Sequence, residues 1–280
     1  MKTAVIDPGG GLRSVYASGV FDYLIDQKID FDFGIGVSAG AANLCSFQAG
    51  QKMRNHAFYV DYSRRPEYMS VSNFIKKKSF FDFNYIYSDL SNSDGEYPLD
   101  FSKMMANPAG LTIIATNALT GRPVYFDKSR IRQDHYEILK ATCSLPVLCQ
   151  PSRVHHLPCF DGACSDPMPV KKALELGADR LVIILSQPRD VPGNDRLDRY
   201  ASRLLRKYPK AARALRSAAS KYNEGLQIAL ELEKQGRALI VAPDSSMGVH
   251  MVCRDPIALH TLYLKGYADG VKIREFISGK

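Results

Sequence analysis

At 280 residues, with 45% hydrophobic and 24% charged residues, the chain has apolar material for one large α/β domain, or one domain plus an extension. No run approaches the roughly 18 apolar residues of a membrane span, and residues 1–10 hold too few for a signal peptide, so a cytoplasmic location is expected. Six cysteines without a C-x-x-C pair argue against a disulfide framework, while a formal charge of +8 favours anionic partners, either nucleic acid or phospholipid.

Residues 3–7, T-A-V-I-D, read as a buried strand ending at the turn P-G-G-G. Val15, Val20, Phe21, Leu24 and Ile25 recur at helical spacing over 15–27. A second strand at 33–37 runs straight into the small residues S-A-G-A-A-N-L, which suit a helix packed closely on a sheet. This β-α-β-α opening predicts a parallel sheet with crossover helices. Residues 52–108, rich in Tyr, Phe, Asn and Ser, break the rhythm and read as an insertion of short helices and loops over the sheet's edge.

The pattern resumes with a strand at 111–117, a turn and a second strand through P-V-Y-F. A helix near 134–143, the apolar loop S-L-P-V-L-C-Q-P, a helix at 168–177 and a strand at 180–186 follow. Residues 195–221 carry nine Lys/Arg against Asp195 and Asp198, with apolar residues every three or four positions. They read as a basic amphipathic helix interrupted at Pro209. A helix at 223–235, a strand at 238–243 and one or two final helices complete the chain. The expected fold is a three-layer α/β/α arrangement around a mostly parallel sheet. Its core is 1–190 with the 52–108 insertion, and 191–280 form a C-terminal extension with a mixed α/β tail.

Three short motifs carry candidate chemistry. G-V-S-A-G at 36–40 places Ser38 between Gly36 and Gly40 at a strand-to-helix turn, the setting of a nucleophile elbow. The helix N-terminus and the next backbone N–H, that of Ala39, can then stabilise a developing oxyanion. An α/β-hydrolase elbow lies later in its chain and needs a histidine after it; His250 is the best late candidate, and nothing supports it in a triad. The second motif, P-G-G-G-L-R-S at 8–14, lets successive N–H groups of Gly9, Gly10 and Gly11 point into one concavity that suits an anion. It lacks the acidic residue a dinucleotide turn requires and the G-K-S/T of a P-loop. The third, F-D-G-A at 160–163, offers Asp161 as a carboxylate able to act directly as base toward a serine, although D-G alone is the commonest turn dipeptide.

In this order, G-G-G-L-R, G-V-S-A-G and D-G-A resemble the three motifs of patatin-like phospholipases. A-T-N-A-L-T-G (115–121), A-T-C-S-L-P (141–146) and the stretch 173–186 add to the resemblance, and 225–275 resemble the tail of a bacterial subgroup. The resemblance implies a serine acyl hydrolase of lipid or simple carboxylic esters, with Ser38 as nucleophile, Asp161 as base and no histidine or cofactor. It implies an oxyanion hole from the N–H groups of Gly9, Gly10, Gly11 and Ala39. Arg13 matches the basic position that shapes the glycine loop, and Gly36, Gly40, Gly162 and Ala163 complete the motifs. The chain departs from the pattern at Ser14, where the family usually has glycine, and at Pro8, which supplies no N–H.

Rival readings are weaker. His155, His156, Cys159 and Cys164 surround Asp161 but match no zinc spacing, so no metal is expected. No nucleic-acid motif accompanies the basic stretch. It reads as a solvated helix face, with peripheral docking on anionic membrane through 196–221 as the functional alternative. A weakly active or regulatory lipid-binding protein on the same fold is the other function class, against which intact Ser38 and Asp161 argue. Oligomeric state is left open.

Overall fold

The computed structural model describes residues 1–193 and 196–279; Asn194 and Asp195, at the start of the basic stretch, and Lys280 lie outside the described residues. The strands are β1 (Thr3–Asp7), β2 (Phe33–Val37), β3 (Gly110–Asn117), β4 (Pro123–Asp127), β5 (Ser152–Val154), β6 (Leu157–Asp161), β7 (Arg180–Ile184) and β8 (Ala238–Val241). β3, β2, β1, β7 and β8 run parallel in that order, while β4, β5 and β6 are antiparallel additions. The result is the mixed, mostly parallel sheet expected.

The helices are α1 (Val15–Gln27), α2 (Ala39–Gln48), α3 (Arg54–His56), α4 (Val71–Lys77), α5 (Phe101–Ala106), α6 (Glu137–Thr142), α7 (Val170–Glu175), α8 (Arg196–Leu204), α9 (Pro209–Lys234), α10 (Pro256–Asp269) and α11 (Val271–Ser278). α1, α2 and α10 bury Val20, Leu44 and Leu262 against one sheet face. α7 and α9 bury Val170 and Ala229 against the other, with Ile6, Ile35 and Ile183. Residues 52–108, expected as short helices and loops, hold α3, α4 and α5 and further short helical turns. Their buried Phe58, Tyr59, Phe81 and Tyr87 join the core of α1 and α2, because aromatic surface of that size needs an apolar partner.

α9 is one helix through Lys234, where the sequence suggested a second helix from 223. Pro209 opens it at the first helical position, where the missing N–H would have had no intrahelical partner. The C-terminal residues complete the architecture: β8 extends the sheet beside β7, and α10 crosses α1 almost backbone to backbone. A Cβ on Gly266 would lie 2.0 Å from the Tyr16 carbonyl, and one on Gly19 2.1 Å from that of Tyr263. Tyr16 also donates to Asp269 across the contact at 2.7 Å, and Tyr263 to Asp22 at 2.8 Å.

The sheet register places the site. β3 carries β4 along one edge, through residues 112–116. Its other edge is shared: β2 pairs with residues 110–114 and β6, from the opposite direction, with 115–117. Val37 is opposite Ile114 and Asp161 opposite Ala115, so the end of β2 meets the end of β6 head to head.

Candidate active site

Ser38 sits at that meeting point. It leaves β2 with φ 55° and ψ −132°, a conformation that costs a non-glycine residue on the order of 1–3 kcal/mol and that marks functional sites. The elbow is held because the flanking chain has no room to relax. A Cβ on Gly40 would lie 2.2 Å from the Asp7 carbonyl, and one on Gly36 2.5 Å from Ala41 Cα. Gly162 packs as closely over the Ile114 carbonyl, beside Val37.

Where β2 departs from β3, a side chain splices the broken ladder. The Ser38 N–H donates to Thr142 Oγ1 at 2.8 Å, and the Thr142 hydroxyl donates to the Ile114 carbonyl at 2.5 Å. Thr142 ends α6 and is fully buried. Sequence reading took its segment only as supporting similarity.

Asp161 is fully buried and its backbone is fixed on both sides: its N–H donates to the Ser144 carbonyl at 2.9 Å, and the Thr116 hydroxyl donates to its carbonyl at 2.7 Å. The Ala163 N–H donates to Oδ1 at 2.9 Å. Oδ2 is buried without a partner in hydrogen-bond geometry. Burial pushes the carboxyl up to about 7, opposed by the neighbouring Ser38 hydroxyl and the Ala163 N–H. The same serine hydroxyl adjoins the Cys143 thiol, whose pKa burial drives upward, so that thiol stays protonated. A carboxylate titrating near neutrality beside a serine is chemically able to take its proton, and such contacts tighten when substrate binds.

The glycine loop has φ values of 77°, 145° and 63° at Gly9, Gly10 and Gly11. Arg13 donates to the Gly10 carbonyl at 3.3 Å and to Gln187 at 2.9 Å. Ser186, at the exit of β7, donates to the Gly9 carbonyl at 2.7 Å, and Leu12 donates its N–H to the Met251 carbonyl at 3.0 Å. Neither brace was read from the sequence. The Gly9 N–H is a correction: it donates to Asp7 Oδ1 at 2.9 Å and is therefore occupied. Those of Gly10, Gly11 and Ala39 have no partner among the described residues.

Asp7 is a second buried carboxyl beneath the loop. Burial raises its pKa to about 6, against donation from Asn43 and Gly9. Asn43 donates to Asp7 Oδ2 at 2.9 Å and to the Ser14 carbonyl at 3.1 Å, and Tyr59 donates to Asn43 at 3.0 Å. Ser14 is buried at the start of α1, its hydroxyl unpartnered.

A cleft with a cavity volume of about 60 Å³ opens from Ser38 between α2 and residues 54–87, lined by Ala42, Phe58, Tyr68, Phe83, Ile86 and Leu145 among others. Its lining is mostly apolar, as in sites that take small molecules. No histidine lines it: His250 is exposed in a turn, and His155 and His156 form the exposed turn between β5 and β6. Cys159 and Cys164 are buried in apolar surroundings, and among the described residues no cluster of three or more metal-ligating side chains occurs.

The chain is similar to known proteins. A 192-residue alignment to the uncharacterized protein YjjU of Escherichia coli (strain K12) is 24% identical and covers 67% of this chain. It covers 52% of that relative, so the match spans about half the relative's length. The crystal structure of VipD from Legionella pneumophila superposes over 97% of this chain and 66% of its own, with TM-score 0.49 and 12% identity. The C-terminal residues 208–277 match the family model of a domain of unknown function (DUF6363). The model of patatin-like phospholipases matches residues 8–174, more than half of the chain and all three motifs, and the chain belongs to the patatin-like phospholipase family.

Proposed function

We propose that the protein is a serine acyl hydrolase of carboxylic esters, of lipids or simpler acyl compounds, working through Ser38 and Asp161. The observation that carries this reading is the pairing of a strained serine with a buried carboxyl whose Oδ2 has no other partner. Asp161 accepts the Ser38 proton as Oγ attacks the ester carbonyl; the alcohol leaves, and water then releases the acyl group with Asp161 again as base. The free N–H groups of Gly10, Gly11 and Ala39 are the donors for the tetrahedral oxyanion, with the positive end of α2 behind Ala39. The apolar cleft takes the acyl chain. A neutral fluorophosphonate should label the wild type at one residue and p-nitrophenyl esters should be turned over. Both are lost in Ser38→Ala, and labelling that persists in that variant would sink the assignment.

The partner surface proposed is anionic membrane. All nine Lys/Arg of 196–221 are exposed, and Tyr200 and Leu204 stand exposed among them. No helix among the described residues is long and apolar enough to cross a membrane, so docking is peripheral in this reading. Sedimentation with phosphatidylglycerol vesicles should weaken by about 10³-fold or more when Arg199, Arg203, Arg206 and Lys210 are all changed to Glu, each residue contributing about 1 kcal/mol. Unchanged binding would remove the surface from the account.

A further inference from the structure

The cleft beside Ser38 is apolar along most of its wall, with one cationic exception. Arg54, at the start of α3, lines it and is only 5% exposed. Its hydrogen-bond partners are all neutral: it donates to Ser46 Oγ at 3.2 Å, Ser91 Oγ at 2.9 Å and the Tyr97 carbonyl at 3.2 Å. The Phe58 ring lies 4.4 Å from the guanidinium carbon. Nε is buried with no partner. Burial pulls the guanidinium pKa down to about 10, and the groups that oppose this are the Cys45 thiol and the hydroxyls of Tyr87, Tyr97 and Tyr136, none of them a carboxylate. A buried charge with no counter-ion among the described residues is costly to hold, and the fold has placed this one on the wall of the cavity that opens from Ser38.

Position adds to the argument. Ser38, Ala42 and Ser46 follow one face of α2 at intervals of four residues, and Ser38 and Ala42 both line the cleft. Ser46, which Arg54 touches, is therefore roughly 12 Å of helix rise from Ser38. A molecule with its ester at Ser38 and its chain along α2 would bring its far end to the guanidinium.

We infer that the ligand of this cleft carries an anionic group, carboxylate or phosphate, at the end remote from the ester, and that Arg54 receives it. The inference rests on the acyl-hydrolase reading for the placement of the ester, but its test does not need turnover. The protein is used as Ser38→Ala, and calorimetry compares monomethyl sebacate, with an ester at one end and a carboxylate at the other, against neutral dimethyl sebacate. Decyl phosphate against decanol forms the phosphate arm.

The charged member of at least one pair should bind about tenfold tighter, equivalent to 1.4 kcal/mol. That preference should shrink to within about twofold when Arg54→Gln is added and survive in part with Arg54→Lys. Whichever arm gives the preference identifies the anion. Equal affinity within both pairs overturns the inference, as does a preference that Arg54→Gln leaves intact, which would put the anion on the glycine loop. If Arg54→Gln fails to fold, as judged by its thermal transition, the two ligand pairs on Ser38→Ala alone and on its Arg54→Lys form still decide. Fluorophosphonate labelling of the wild type reports separately on Ser38, so loss of the hydrolase reading and loss of the anion site give different results.

Discussion

Asp161→Asn should lose about 10³-fold in kcat and at the same time unfold at a higher denaturant concentration than the wild type above pH 7. The kinetic loss follows because an amide cannot accept the serine proton, and general-base catalysis contributes on the order of 10²–10⁴. The gain in stability follows from the direction of the shift. Burial raises the carboxyl to about 7 in the folded chain, whereas an unfolded aspartate titrates near about 3.9. Stability from this group is fully present below pH 4, and is lost as the pH climbs through the interval to 7, because only the unfolded chain is then ionised. Asparagine escapes that loss and still accepts from Ala163, so it should be the more stable by on the order of 2 kcal/mol at pH 8. The wild-type kcat/KM should rise with pH on a limb near 7. A limb near 4 would show that burial does not hold the Asp161 carboxyl up.

Thr142→Val should be the second most damaging change, although this side chain touches no reacting atom. The valine keeps the shape and removes the hydroxyl that accepts from the Ser38 N–H and donates to the Ile114 carbonyl. Two buried backbone groups are then left unpaired, at roughly 1–3 kcal/mol each. With its anchor gone the elbow can shift, and misplacement by about 1 Å costs on the order of 10²-fold in rate. Thr142→Ser, which restores the hydroxyl, should recover most of the rate, measured as kcat on a p-nitrophenyl ester. Equal loss in the serine and valine variants would show that the methyl, not the splice, is what matters.

The parts legible in the sequence were those set by neighbours along the chain. β1, α1, β2 and the elbow show in hydrophobic spacing and small residues, and their observed bounds of 3–7, 15–27 and 33–37 match the reading. Ser38 and Asp161 were legible as motifs, yet nothing local said that they would meet. That depends on β6 pairing with the last residues of β3, and the β5–β6 hairpin around two histidines has no strong strand pattern. Gly9 looked like a free donor because its competitor is a side chain, Asp7, folded back by the turn itself. Arg54 was invisible for a different reason: an arginine in an aromatic-rich segment reads as surface until packing shows which way it is turned.

Because β2 and β6 occupy successive stretches of one β3 edge, the two halves of the site come together only in the whole sheet. The elbow can form with its own βα unit, whereas Asp161 arrives only after antiparallel closure of a segment distant in sequence, a slow class of event. A slip of one residue in that pairing would turn Asp161 to the opposite sheet face and leave every helix in place. Reactivity at Ser38 is thus a stricter report on correct folding than helix content, and a refolding chain should regain its circular dichroism before its nucleophile.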